Sequence, residues 1–220
     1  MSNANFAIPK AYNEPVKAYL PGSPEREALK KELDRQASIQ VEIPIIIGGK
    51  EYHTGNKGKC VMPHDFNHVL AEYNIAGEEE LKLAADAAMA AKEEWANMPW
   101  EHRASIFLKA ADLLAGPWRA KMNAATMLGQ SKTAFQAEID SACELADFLR
   151  FNVAFAEQIY KQQPENSHGV WNRTEYRPLD GFVMAISPFN FTSIGGNLCT
   201  APAIMGNTVI WKPAQTAALS

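Results

Sequence analysis

The chain has 220 residues, 47% of them hydrophobic and 10% aromatic, enough to bury a substantial core in one large domain or two small ones. Its 21 basic and 25 acidic residues leave a formal charge of -4 without any basic block able to follow a phosphate backbone, which argues against a nucleic-acid partner. No apolar run reaches the roughly 20 residues of a membrane span, MSNANFAIPKAYNEP lacks the features of a secretory leader, and three cysteines without metal-ligand spacing argue against a disulfide framework or a zinc site.

A cytoplasmic location with reduced, packed thiols at Cys60, Cys143 and Cys199 is therefore expected, or the mitochondrial matrix in a eukaryotic source. Residues 1–40 are polar and punctuated by proline, as in an N-terminal arm lying on another surface. A short helical pattern runs from Pro24 to Gln36, with Ser23 as its N-cap. VEIPIIIGGKEYHTG then reads as a hairpin turning at Gly48-Gly49. Leu81, Ala84, Ala88, Ala91 and Trp95 recur at helical spacing until Pro99, and Ile106, Ala110 and Leu113 mark a second helix that breaks near Gly116-Pro117.

Thr133 and Gln136 form a capping-box pattern at the head of a long helix. Its expected buried face is Phe135, Ile139, Ala142, Ala146, Leu149, Val153, Ala156 and Tyr160, and a second row carries Glu144, Phe148, Phe151 and Phe155. Glu144 thus heads an aromatic row. It is either buried there or sits at the rim, solvated or paired with a cation; the spacing leaves both arrangements open.

The turn-rich QQPENSHGVWNRTEYRPLDG is read as one or two projecting strands, with a role in oligomerisation. A β-α-β unit follows: a strand over Phe182–Ile186, a helix capped by Thr192 or Ser193, and a strand over Thr208–Trp211. The fold class is α/β, the start of a Rossmann-like parallel sheet preceded by a hairpin and a helical layer.

Ligands of open α/β sheets bind outside the carboxyl ends of the strands, which here are Ser187–Phe191 and Lys212–Gln215. Pro188 stiffens the first loop, where Asn190 stands among Pro188, Phe189 and Phe191. Its carboxamide could donate to a developing oxyanion, or it could cap the following helix. Lys212 could reach the ribose or phosphate of a nucleotide, or be a solvated strand-end lysine. No G-x-G-x-x-G accompanies the first strand, and Gly195-Gly196 fall inside the helix with the wrong spacing, so a nucleotide would have to sit differently from that of typical dehydrogenases.

ISPFNF, the helix behind it and MGNTVIWKPA together resemble the NAD(P)-dependent aldehyde dehydrogenase superfamily. SKTAFQAEIDSACELADFLRFN and DGFVMAISPFNFTSIGGNL look like the branch that oxidises glutamate semialdehyde to glutamate in proline breakdown. The likeness runs from about Ile45 to Ser220. It implies NAD as cofactor, with NADP possible; a small-molecule aldehyde as substrate; and a homo-oligomer. It implies Asn190 as the catalytic oxyanion donor. Ser187, Pro188, Phe189, Lys212, Pro213, Ala214 and Gln215 are implied to hold the cofactor, Glu144 and Phe191 to face the substrate, and no metal to take part. The corresponding division is an arm over 1–40, a hairpin and helical part of the cofactor-binding domain over 41–165, bridging strands over 166–181, and the first β-α-β unit over 182–220.

The family's nucleophilic cysteine, general-base glutamate and carboxylate-gripping loop match nothing before Ser220. The chain is thus expected to be the N-terminal portion of such an enzyme and not to turn over substrate alone. Neutral Gln215 stands where many relatives carry an acid, which implies NAD preference with weaker rejection of NADP. A coenzyme A-acylating relative and a noncatalytic assembly module are the alternatives.

Overall fold

The computed structural model describes residues 6–220, so the first five residues of the expected arm lie outside the described residues. Local signals account for the early elements. Helix α1 (Pro24–Ala37) starts at Ser23, whose hydroxyl accepts the Arg26 amide, and proline occupies the first turn, where no backbone donor is lost. Strand β1 (Val41–Ile43) precedes a hairpin of β2 (Ile45–Ile47) and β3 (Lys50–Tyr52). Its turn holds Gly48 at φ 56° and Gly49 at φ 76°, a left-handed pair that explains two consecutive glycines. Strands β4 (Lys57–Met62) and β5 (Asp65–Asn74) then build a three-stranded sheet in the order β1-β5-β4, with β1 parallel and β4 antiparallel to β5.

The helical layer consists of α2 (Glu78–Asn97), α3 (Trp100–Ala115) and α4 (Arg119–Gln130), with Pro99 between the first two. The capping box at Thr133 and Gln136 forms as expected and opens α5 (Ala134–Ala137). The long helix is continuous from Ala134 to Lys161 but is not regular. Residues Glu138–Glu144 wind as a π segment before α6 (Leu145–Lys161) resumes. The wider turn resets the facing of everything upstream. Phe135 and Ile139, expected on the buried face, are exposed, while Ala137, Glu138, Asp140, Ser141 and Cys143 turn inward with Ala142. Downstream the expected face holds, and Leu149, Val153 and Ala156 pack with Ala104, Phe107 and Ala111 of α3.

The expected projecting strands do not form: residues 162–182 have no regular secondary structure beyond one bridge, between Ser167 and Val170. Strand β6 (Val183–Ile186), helix α7 (Thr192–Ile204) and strand β7 (Val209–Lys212) complete a parallel β-α-β unit in the register Val183 to Val209 and Ile186 to Lys212. One of the two glycines inside α7 has a packing role: a Cβ at Gly196 would lie 2.6 Å from a Leu145 methyl, so its absence lets α7 pass close to α6. Buried Arg103 anchors the other end of α7, donating to Ile204 O at 3.2 Å and to the carbonyls of Trp95, Ala96 and Met98 at the end of α2. A cation facing two helix C-termini complements both dipoles.

A buried ionic network holds the arm to this layer. Arg119 pairs with Glu138 and Glu14, and Arg150 reaches the other Glu14 oxygen at 2.8 Å. Glu138, fully buried, also accepts from Tyr19 Oη at 2.7 Å, Asn123 Nδ2 at 2.8 Å and the Lys17 amide at 2.8 Å. Burial alone would raise the Glu138 pKa. The guanidinium of Arg119 and the three neutral donors outweigh it and hold the carboxyl below its ordinary 4.5. Stability from a depressed carboxyl is present above pH 4.5 and is lost as pH falls through the lower folded value. Acid should therefore release the arm, and Glu138→Gln should flatten the dependence of the urea midpoint on pH below about 4.5. Arg119→Met strands Glu138 without its cation and should cost about 3–5 kcal/mol by urea unfolding at pH 7.

Candidate active site

The Ile186 to Lys212 pairing brings the ends of β6 and β7 together, so the loop Ser187–Phe191 and the segment Lys212–Gln215 share one edge of the molecule. Asn190 is solvent-exposed there between exposed Phe189 and Phe191, and among the described residues its carboxamide has no hydrogen-bond partner. It does not cap the helix. Phe191 occupies the N-cap position, and neither Thr192 nor Ser193 caps with its own side chain, contrary to the expected assignment.

The cap comes from the π segment. Asp140 accepts the Thr192 amide at 3.1 Å through Oδ2, and the Ser193 amide at 2.9 Å and hydroxyl at 2.7 Å through Oδ1. Lys132, in the linker before α5, donates to Asp140 Oδ2 at 2.6 Å and to the main-chain oxygen of Asn190, and its ammonium lies 4.4 Å from the centre of the Phe191 ring. Neither Lys132 nor Asp140 stood out in the sequence. The available signal was a set of acidic residues, Glu138, Asp140 and Glu144, within a stretch whose neighbours are small and apolar.

This cap has a chemical consequence. A helix N-terminus after the first strand of a doubly wound sheet is an anion site, and it ordinarily takes a dinucleotide's pyrophosphate. Here a buried carboxylate fills it. No phosphate can share those amides without displacing Asp140, so a cofactor must bind elsewhere along the strand ends, which agrees with the missing glycine-rich turn.

Glu144 is half-buried at the same helix start, its Oε2 2.8 Å from Ser193 Oγ. Ser193 thus stands between two carboxylates with one proton to donate. Asp140 already receives Lys132 and two amides, whereas Glu144 has no other donor among the described residues. Its remaining acceptor capacity suits a cationic or donor group of a ligand.

The remaining expected residues divide. Ser187 faces inward: it is buried, its hydroxyl accepts Trp211 Nε1 at 3.2 Å, and its amide donates to Lys212 O. The hydroxyl is thereby engaged in joining β6 to β7. Pro188 is partly buried, and Phe189 and Phe191 remain exposed. Lys212, Pro213 and Gln215 line one end of an apolar groove of about 920 Å³ between the β2–β3 hairpin, α2 and the face of β7, while Ala214 lies beside it in sequence without lining it. Lys212 is exposed, and among the described residues its ammonium has no acceptor.

Among the described residues no helix is long and apolar enough to cross a membrane, and no cluster of His, Cys, Asp and Glu could hold a metal ion. The three cysteines are free thiols. Burial and then the neighbouring Glu138 charge push Cys143 up to about 12, and burial raises Cys60 and Cys199 as well. A thiol-reactive dye at pH 7 should therefore label Cys143 and Cys60 at least tenfold more slowly in the folded chain than in urea; equal rates would contradict this packing.

The model of the aldehyde dehydrogenase family matches residues 52–220. The chain is 53% identical over 219 residues to a delta-1-pyrroline-5-carboxylate dehydrogenase of Agaricus bisporus, covering 99% of this chain and 40% of the relative. It is 50% identical over 211 residues to the mitochondrial enzyme of that name from Homo sapiens, covering 96% and 38%. In structure it is similar to the delta-pyrroline-5-carboxylate dehydrogenase of Mycobacterium tuberculosis bound with NAD, at TM-score 0.98 and 55% identity, covering 99% and 41% of the two chains. A 1-pyrroline-5-carboxylate dehydrogenase from Thermus with bound NAD gives 0.88 at 28% identity, covering 96% and 41%. The chain thus spans about two fifths of the length of the relatives it matches.

Proposed function

The chain belongs to the aldehyde dehydrogenase family, and on that premise we propose that a polypeptide of the relatives' length containing these residues oxidises L-glutamate 5-semialdehyde, the open form of 1-pyrroline-5-carboxylate, to L-glutamate with NAD. The observation that carries the reading is Asn190: an exposed carboxamide with no partner among the described residues, on a loop braced from beneath by Pro188 and Lys132. The relatives' names support the substrate, and the NAD-bound neighbours support the cofactor.

The residues present fit a nicotinamide dinucleotide held away from the helix start. Lys212 offers an ammonium with no acceptor among the described residues for ribose hydroxyls at the strand end, and Pro213, Ala214 and Gln215 continue along the same edge, with the backbone of Ser187–Phe189 completing it. When bound, the cofactor supplies the hydride acceptor. Asn190 donates its amide hydrogens to the aldehyde oxygen as that oxygen gains negative charge under nucleophilic attack. Phe191 packs against the aliphatic part of the substrate, and Glu144 faces its amino group. The attacking thiolate comes from none of the three cysteines here, since burial keeps them protonated.

The same reading includes a homo-oligomer, a cytoplasmic or mitochondrial-matrix location and the domain division at about residues 40, 165 and 181. The segment 162–182 supports the oligomer, because it leaves Trp171 95% exposed beside exposed Val170.

Asn190→Ala in the full-length enzyme should lower kcat by roughly 10²–10³ with the thermal midpoint unchanged; an unchanged kcat would remove the oxyanion assignment. Gln215→Glu should lower kcat/KM with NADP by about tenfold or more while sparing NAD, through repulsion of the 2'-phosphate.

A further inference from the structure

We propose that Lys132 and Asp140 are a positioning pair that sets the height and direction of the Asn190 carboxamide, an inference that rests on Asn190 being the oxyanion donor. Asp140 alone accounts for the cap of α7, through its bonds to Thr192 and Ser193. Lys132 does something the cap does not need: it extends past Asp140 to the carbonyl of Asn190 and the ring of Phe191, both in the loop. One cation therefore ties the loop's main chain to the same carboxylate that fixes the first turn of the helix. Both side chains are largely withdrawn from water, at 15% and 5% exposure, where such a pair holds its geometry better than a surface ion pair.

The lysine is itself held from both sides. Ser131 takes a left-handed conformation at φ 52° with its hydroxyl 2.7 Å from His64 Nδ1, and Thr133 is locked in the capping box of α5. The strained residue and the cap fix where the Lys132 stem begins. A chain of short contacts thus runs from the β4–β5 turn through Ser131 and Lys132 to the backbone of Asn190. Neither Lys132 nor Asp140 touches substrate in this scheme; both act through residue 190.

The test is a double-mutant cycle in the full-length enzyme, read together with amide exchange of the segment 190–193. Lys132→Met should lower kcat about 10–100-fold with KM for the aldehyde changed less than about twofold, the size expected when a donor is misplaced by about an ångström. Asp140→Asn should do the same, and Lys132→Arg should recover part of the loss. Exchange at Phe191–Ser193 should quicken in Lys132→Met. In an Asn190→Ala background Lys132→Met should have little further effect, because both changes remove one function. An unchanged kcat in Lys132→Met, or full additivity with Asn190→Ala, overturns the positioning role while leaving the Asn190 assignment standing. A kinetically silent Asn190→Ala overturns both.

Discussion

Seven residues wound as a π segment determine where almost everything else sits. A regular α-helix from Thr133 onward would align Phe135 and Ile139 with the buried face of Leu149, Val153 and Ala156. The π segment turns Glu138 and Asp140 inward instead, each toward its own set of partners. Glu138 meets Arg119, Asn123 and Tyr19 and thereby holds the N-terminal arm, while Asp140 meets Lys132 and the first amides of α7 and thereby holds the proposed catalytic loop. Each carboxylate is surrounded by donors, which is the condition under which a buried charge holds structure together rather than disrupting it. π turns tend to occur at functional sites, and this one connects the arm network to the proposed catalytic loop through one stretch of helical backbone.

The Asp140 cap also explains why the loop contains proline and aromatic residues rather than glycines. Glycine-rich turns let phosphate oxygens approach backbone amides at a helix start, and here those amides are bonded to a carboxylate inside the protein. With no phosphate to admit, the loop is free to be stiff and apolar. It can then carry a single polar side chain, which is what Pro188, Phe189, Asn190 and Phe191 do. Gly196 of α7 serves packing instead, admitting Leu145.

Much of this architecture was legible because its signals are local. The left-handed glycine pair of the β2–β3 turn, the Ser23 cap, the Thr133–Gln136 box, the Pro99 break and the β6-α7-β7 unit each depend on residues a few positions apart. The π segment, the Asp140 cap and the Arg119–Glu138 network were not legible, since their causes are partners distant in sequence: Asp140 lies 52 residues from the amide of Thr192, and Glu138 lies 121 from that of Lys17. Periodicity assumed an unbroken α-helix and so misplaced Phe135 and Ile139. The bond from Trp211 to the Ser187 hydroxyl was hidden for the same reason, because Trp211 belongs to the next strand. Asn190, Lys212 and Glu144 were singled out by residue type and place, yet the sequence could not show that Lys132 holds the carbonyl of Asn190 or that Ser193 donates to Glu144.

The bracing bears on how an exposed loop could do precise chemistry. An unsupported loop would have to order several backbone torsions on binding, each costing about 1–2 kcal/mol. Here Pro188 fixes one φ, Lys132 holds the carbonyl of residue 190, and Asp140 holds the amides of 192 and 193. What remains free at Asn190 is the side chain's own two torsions, a cost of about 1 kcal/mol or less on binding. A donor whose backbone is already set and whose amide has no competing partner among the described residues is close to the preorganised arrangement that oxyanion stabilisation requires. The exposure of residue 190 is therefore compatible with precise chemistry, because the rigidity comes from the buried π segment beneath it.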